Sequence, residues 1–366
     1  MHQSFRTKKI YILEVDCTYK HLFLLPNLAA GGAQRNMLNI ISVIGMTRPV
    51  LLVVYNQRGI YKSLTDKLSK DVEIIYLKGN KYIKIYNLFK IFFCIRIKTV
   101  FTGLYNYNLY HAFLFSIILS KTTLILRETA VLSEMKMSYL KRLAYQVAMR
   151  RADVIISQSD DMTVDLIKNF NVDKLKVVQI RNPICDPKFV KANNSGEFFL
   201  IVGRLEKEKN ILGFLKLLSL HKIKIPLTII GEGSESAAIK SLINNDISLQ
   251  FVKLLSYQLD LSSYFMRSKA LILPSLVEGM PNIALEALSY GVPIISNNFK
   301  GGINEIINRS NGAVVDFFNE ANIKYYFSDV FIAQFNPQQI SNDVLERFSF
   351  KDFSSKVFEV YSRYEE

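Results

Sequence analysis

No stretch of the 366-residue sequence runs to about 18 uncharged apolar residues, so no segment reads as a membrane-spanning helix. A cleaved leader is equally unsupported. Arg6, Lys8 and Lys9 are followed by a short apolar stretch that Glu14 and Asp16 interrupt. Cysteine is scarce: Cys17, Cys94 and Cys185 lie far apart and form neither a disulfide framework nor a zinc-ligand cluster, which suits a reducing cytoplasm. Histidine is limited to His2, His21, His111 and His221. No Asp-x-Asp pair stands where it would hold a metal. Asp160-Asp161, following Ser159, reads as the capped start of a helix.

Negative charge is missing from one region. Between Glu73 and Glu128 there is no carboxylate, while Lys78, Lys81, Lys84, Lys90, Arg96, Lys98, Lys121 and Arg127 fall within it. Residues 1–186 carry 27 Lys and Arg against 13 Asp and Glu, whereas residues 187–366 carry 19 against 19, so the whole net charge of +14 resides in the first half. A coding bias toward lysine would load both halves. The asymmetry points to an anionic partner, with membrane phosphate favoured over nucleic acid. Within Lys81–Lys98 lysines alternate with aromatics, and two readings are open. The segment is either an interfacial helix with Phe89, Phe92 and Phe93 toward lipid, or a buried helix whose lysine stems reach solvent.

What is present is a rhythm of short apolar runs, each followed by a helical pattern, as in a parallel sheet. The first half predicts strands at His21–Pro26, Pro49–Tyr55, Val72–Leu77, Thr99–Thr102, Thr123–Arg127 and Val154–Ser157, with helices including Leu109–Leu119 and Tyr139–Arg150. Residues 182–197, with two prolines, a glycine and polar residues, break the rhythm and read as a linker. A second series follows at Phe198–Val202, Leu227–Ile230, Leu249–Val252, Ala270–Leu273 and Pro293–Ile295, and the tail from Gln338 to Tyr364 is helical. The expectation is an α/β protein of two doubly wound domains, residues 1–185 and 196–345, with residues 346–366 packing back as a C-terminal helix. Residues 1–20 fit neither series.

The densest constellation is Ser275-Leu-Val-Glu278-Gly279-Met280-Pro281-Asn282-Ile-Ala-Leu285-Glu286. It follows a strand end, where ligands bind in open α/β sheets. Pro281 is placed as the first residue of a helix whose free N–H groups suit a diphosphate. Glu278 in the loop and Glu286 inside the helix are placed to accept hydroxyl hydrogen bonds at the two ends of a nucleotide sugar.

This string closely resembles the signature of retaining GT-B glycosyltransferases of the glycogen-synthase-like and sucrose-synthase-like superfamily. Further segments resemble it in the same order: Gly203-Arg204 with Lys209, Gly231-Glu232-Gly233, and Gly301-Gly302 with Glu305. Upstream, Gly31-Gly32-Ala33-Gln34-Arg35 is similar to a family Gly-Gly-Ala-Glu-Arg turn. The resemblance spans roughly residues 20–320.

The resemblance implies two facing Rossmann-like domains and metal-independent transfer of a hexose or N-acetylhexosamine, with no cofactor beyond the donor itself. Arg204 and Lys209 would hold the donor diphosphate. Glycines Gly31, Gly32, Gly203, Gly231, Gly233 and Gly279 would shape the donor site with Met280, Pro281, Asn282, Leu285 and Glu286. Glu278 would accept from the sugar, and Glu128 stands where many members carry a catalytic histidine. The donor expected is a UDP-sugar; GDP-mannose, or a non-catalytic role beside an active transferase, is the alternative. The expected acceptor is a lipid-diphosphate-linked oligosaccharide for surface polysaccharide, met by a cytoplasmic enzyme peripheral to the inner membrane face, with no nucleic-acid partner.

Overall fold

The computed structural model describes residues 21–28, 31–56, 68–94, 97–103, 108–109, 111–112, 122–184, 195–318 and 323–363. Two compact units are formed. The first comprises Met1–Gln158, Thr163–Ile180 and Lys351–Glu366, and the second Ser159–Met162 and Arg181–Phe350. The chain thus leaves the first unit, builds the second, and returns.

In the first unit the strands are β1 (His21–Leu25), β2 (Val50–Val54), β3 (Val72–Tyr76), β4 (Thr99–Thr102), β5 (Thr123–Arg127), β6 (Val154–Ser157) and β7 (Val177–Gln179). They pair in parallel in the order β3-β2-β1-β4-β5-β6-β7. Near-continuous apolar runs such as VLLVV suit strands covered on both faces. Alternation then sorts side chains. Leu22 and Leu24 join one core with Leu51, Val53, Leu88, Ile91 and Tyr145. Phe23 points the other way and stacks against both Phe101 and Tyr361, at centroid distances of 5.1 and 6.1 Å. Tyr361 belongs to the C-terminal helix Phe350–Ser362, which therefore packs on the first unit's sheet.

The helix Lys81–Cys94 corrects one of the two readings above. Leu88, Ile91 and Phe92 are buried in the core and Phe89 packs against it, so this aromatic side faces protein rather than lipid. Lys84 donates to the backbone oxygen of Tyr55 at 2.6 Å and to Asn56 at 2.8 Å. The side chain of Phe93 and most of the predicted helix Leu109–Leu119 lie outside the described residues, as do 185–194 of the expected linker.

The second unit holds β8 (Phe198–Val202), β9 (Leu227–Ile230), β10 (Val252–Leu255), β11 (Ser268–Leu273), β12 (Ile294–Asn297) and β13 (Gly312–Val315), parallel in the order β10-β9-β8-β11-β12-β13. The strand expected at Leu249–Val252 begins only at Val252. Residues Ile247–Leu249 form a 3-10 turn instead, because Asp246 accepts hydrogen bonds from the Ser248 amide and hydroxyl. The helical tail is two helices, Pro337–Arg347 and Phe350–Ser362.

Both sheets reverse their strand order once, between β1 and β4 in the first unit and between β8 and β11 in the second. The crevice beyond the strand ends at such a reversal is where open α/β sheets take ligands.

Candidate functional site

The second unit's reversal point is built from the segments after β8 and β11. After β8 the chain passes Gly203 and Arg204 and makes a 3-10 turn at Lys207–Lys209, closed by Asn210 in the left-handed region. After β11 it passes Ser275 and Glu278 and enters the helix Asn282–Ser289. A backbone bond from the Leu276 amide to the Glu208 carbonyl, 2.8 Å, ties the two loops together.

That tie sets Lys209 beside Glu278. The Lys209 Nζ lies 2.8 Å from the Glu278 Oε1, with only 21% and 11% of the two side chains exposed. The Ser275 hydroxyl donates to the same oxygen at 2.6 Å. Both contacts fall on Oε1. Arg204 does not join them; it is largely exposed and pairs with Glu208 at 2.8 Å.

Pro281 is the residue before the helix rather than its first turn, with φ −73° and ψ 104°. Proline satisfies the same steric rule in either place, but here the first helical amides belong to Asn282 and its successors. No side chain caps this end, so its amides are offered outward. Glu286 stands a little over one turn into the helix and is partly exposed. Leu285 and Met280 are buried in the core cluster, so their side chains serve packing.

Glycine is required by close approach at three positions. A Cβ on Gly301, at φ +136°, would stand 2.2 Å from the Glu278 carbonyl oxygen. The neighbouring Gly302 amide donates to the Gly279 oxygen at 2.6 Å. A Cβ on Gly231 would stand 1.8 Å from the Gly203 oxygen, and one on Gly233 2.4 Å from that of Leu205, so the turns after β8 and β9 touch backbone to backbone.

Three polar residues in this unit carry no sequence signal of their own. Asn182, buried, donates to the Asn282 side chain at 2.7 Å and to the Met280 oxygen at 3.3 Å, bracing the start of the helix. Arg181 pairs with Glu305 at 2.7 Å. Asp161 accepts from the Gly301 amide at 2.9 Å, while the Asp160 amide donates to Glu305 at 2.6 Å. Burial raises the Glu305 carboxyl above its ordinary range against the pull of those two partners. Ser159 caps the helix Asp160–Phe170 by accepting from the Met162 amide at 3.3 Å. Among the described residues no three His, Cys, Asp or Glu side chains converge as metal ligands.

In the first unit, Gly31 precedes the helix Gly32–Gly45 beyond β1, again at the order reversal, and no side chain caps that helix. Gln34, where the family turn has glutamate, donates to Asn27 at 3.2 Å. Glu128 sits at the end of β5, fully buried. Asn108 donates to its Oε1 at 2.7 Å, and Gln158 donates to its backbone oxygen at 2.5 Å. Oε2 has no partner among the described residues. Desolvation pushes this carboxyl up to about 7; Asn108 and Arg127 oppose the shift and Asp165 adds to it.

His111 is not an alternative base. It lies between the Tyr55 hydroxyl and the Thr102 hydroxyl, 2.7 Å from each, and burial lowers its pKa to about 3. It is a packed, neutral ring.

Residues 186–342 match the family described as Glycosyl transferases group 1. The match covers less than half of the chain. It is 24% identical over 328 residues to the N-acetylgalactosamine-N,N'-diacetylbacillosaminyl-diphospho-undecaprenol 4-alpha-N-acetylgalactosaminyltransferase of Campylobacter jejuni, a match covering 80% of this chain and 85% of that one. It is 31% identical over 169 residues to the UDP-Gal:alpha-D-GlcNAc-diphosphoundecaprenol alpha-1,3-galactosyltransferase of Escherichia coli, covering 41% of this chain and 44% of that one. Among solved structures, HepE of Anabaena in complex with UDP-glucose superposes with a TM-score of 0.78 at 16% identity, covering 94% and 99% of the two chains. The sucrose-phosphate synthase of Thermosynechococcus elongatus superposes with a TM-score of 0.77 at 14% identity, covering 94% and 98%. The fold is GT-B: two α/β units, each built on a parallel sheet.

Proposed function

We propose that the protein transfers a hexose or N-acetylhexosamine from a UDP-sugar to a lipid-diphosphate-linked oligosaccharide in bacterial surface-polysaccharide assembly, with retention at the anomeric carbon and without a metal. The observation that carries this reading is the Ser275–Glu278–Lys209 cluster beside an uncapped helix N-terminus, at the strand-order reversal of the second unit. The relatives' names supply the acceptor class, since both the Campylobacter and Escherichia proteins are named for diphospho-undecaprenol substrates.

The chemistry follows from charge. Cleaving the sugar–diphosphate bond builds positive charge at the anomeric carbon and negative charge on the leaving diphosphate. Lys209, the helix amides and the exposed guanidinium of Arg204 would supply positive potential for that leaving group. Glu278 would accept a sugar hydroxyl through Oε2, since Oε1 is already engaged. Glu286 would hold the ribose hydroxyls. Glu128 of the first unit would orient the acceptor hydroxyl or the donor sugar, with Gly31 and Gly32 giving a phosphate close access to backbone amides.

Thermal-shift titration with UDP, GDP and their sugars, with and without EDTA, tests the donor side. The expected result is a rise in Tm with UDP that survives EDTA and disappears in Glu286→Ala. A rise with GDP alone would move the donor to GDP-mannose, a reading with some support from a 23% identical relative, the O-antigen chain mannosyltransferase RfbU of Salmonella typhimurium. No response to any nucleotide would sink the catalytic reading in favour of a non-catalytic partner.

A further inference from the structure

We propose that Asn182 is a positioning residue for donor recognition: it fixes the side-chain amide of Asn282 so that the NH2 end of that amide is presented to the diphosphate of the nucleotide sugar. The proposal rests on the donor-site reading above and assigns within it one contact and the residue that orients it.

The observation is a linked pair of amides in the second unit. Asn182 lies near the start of that unit's main segment and is only 2% exposed. Its side-chain nitrogen donates to the Met280 carbonyl oxygen at 3.3 Å and to the Asn282 Oδ1 at 2.7 Å. Its backbone amide is directed at the Met280 Sδ, 3.3 Å away. One buried residue thus grips both neighbours of Pro281, the residue just before the helix Asn282–Ser289.

These partners allow one orientation of each amide. A backbone carbonyl can only accept, so the group that Asn182 turns toward Met280 must be its NH2. The same nitrogen reaches Asn282, where it therefore needs an oxygen. Turning Asn182 over would set its Oδ1 against two other oxygens. Turning Asn282 over would set NH2 against NH2. Either flip leaves polar atoms facing their own kind beside a buried side chain, so the pair is locked. What Asn282 turns to its other side is then N–H and not carbonyl oxygen.

The ligand group that suits this end follows from its neighbours. Asn282 lies midway in sequence between Glu278, assigned above to the sugar, and Glu286, assigned to the ribose. The diphosphate is the part of the donor that joins those two groups. Pro281 has no N–H, so the first backbone donor of the helix is the Asn282 amide itself. An NH2 on the same residue adds donors to a helix start that no side chain caps. An ionised diphosphate presents acceptors alone, which an NH2 end matches and a carbonyl oxygen would repel. A sugar hydroxyl both donates and accepts, and would need no such lock.

The test compares UDP and uridine binding to the full-length protein, by calorimetry and by ligand-observed NMR respectively. Asn282→Asp keeps an oxygen for Asn182 to donate to, but replaces the NH2 end with a second carboxylate oxygen. It should melt close to wild type and bind UDP about ten- to a hundredfold more weakly, with uridine affinity unchanged. Asn182→Ala releases the Asn282 amide and should also weaken UDP while sparing uridine, whatever it does to Tm. A residue that only supported the fold would weaken both ligands alike. Equal losses for UDP and uridine would therefore overturn the proposal, as would variants that bind UDP as wild type does. A loss confined to the UDP-sugar would overturn it too, and would give the amide to a sugar hydroxyl. If wild type takes GDP in place of UDP, guanosine and GDP replace uridine and UDP, and the same ratio decides. Wild-type protein that binds no nucleotide diphosphate would overturn the donor-site reading and this proposal together, whereas the variant results overturn this proposal alone.

Discussion

The Lys209 ammonium and the Glu278 carboxylate, 69 residues apart in sequence, meet at 2.8 Å where two strand-end loops are tied by a backbone hydrogen bond. Neither partner can be judged alone. In the proposed reaction Lys209 fixes the Glu278 side chain with Oε2 left to accept a sugar hydroxyl, and Glu278 fixes the ammonium where a leaving diphosphate would pass. Lys209→Met and Glu278→Gln should each lower kcat by roughly 100- to 1000-fold, the range seen when a fixed transition-state donor is lost. The double variant should fall well short of the product of the two losses, because contacting residues couple. Steady-state kinetics of the two single variants and the double variant on one donor and acceptor would read this. Full multiplicativity would mean that the ion pair is incidental.

Glu128 should make the protein more stable in mild acid than at alkaline pH. Its folded pKa of about 7 lies above the ordinary 4.5, so the folded state holds a proton that the unfolded chain has released. The associated stability is fully present below about 4.5 and is lost as pH rises through about 7, on the order of 3 kcal/mol for such a shift. Glu128→Gln, which keeps the bond to Asn108 but cannot ionise, should flatten the dependence of Tm on pH between 5 and 8 (roughly that same window). A variant whose Tm tracks wild type across the range would show that the carboxyl titrates normally.

Gly301→Ala should cost about 1–3 kcal/mol, as other forced backbone conformations do. The new Cβ would sit 2.2 Å from the Glu278 oxygen at a φ that side chains rarely adopt, so the loop bearing Glu278 must move. Activity should fall further than the drop in Tm explains. Chemical denaturation together with kinetics at low temperature would separate the two losses.

Tyr361→Ala should destabilise the first unit by about 3–5 kcal/mol, the usual range for truncating a large buried aromatic. Tyr361 is buried and contacts the rings of His21, Phe23 and Phe101. Its buried hydroxyl has no hydrogen-bond partner among the described residues, so Tyr361→Phe should be tolerated or stabilising. Thermal melts of the two variants decide whether the ring or the hydroxyl matters.

Much of this fold was legible because buried parallel strands are written as uninterrupted apolar runs. Thr99–Thr102, Thr123–Arg127, Val154–Ser157, Phe198–Val202 and Leu227–Ile230 occupy the predicted residues without shift. β7 and β13 were missed for the opposite reason: Val177–Gln179 is three half-buried residues flanked by lysine, and Gly312–Val315 opens on glycine. In the site, the local string around Glu278 was readable, since its glycines and proline mark a loop-to-helix junction. The braces were not. Asn182, Arg181 and Asp161 act on residues 98 to 140 positions away, and nothing in their own neighbourhoods records it.

The helix that carries Tyr361 also bears on how the chain is made. The aromatic side of the first sheet, with Phe23 and Phe101, is covered by residues synthesised after the whole of the second unit. During synthesis the second unit is complete while the first still shows an uncovered aromatic wall, the kind of surface on which nascent chains misassociate. A truncation before Phe350 would therefore spare the string around Glu278 and still ruin the protein, by leaving the first unit unfinished.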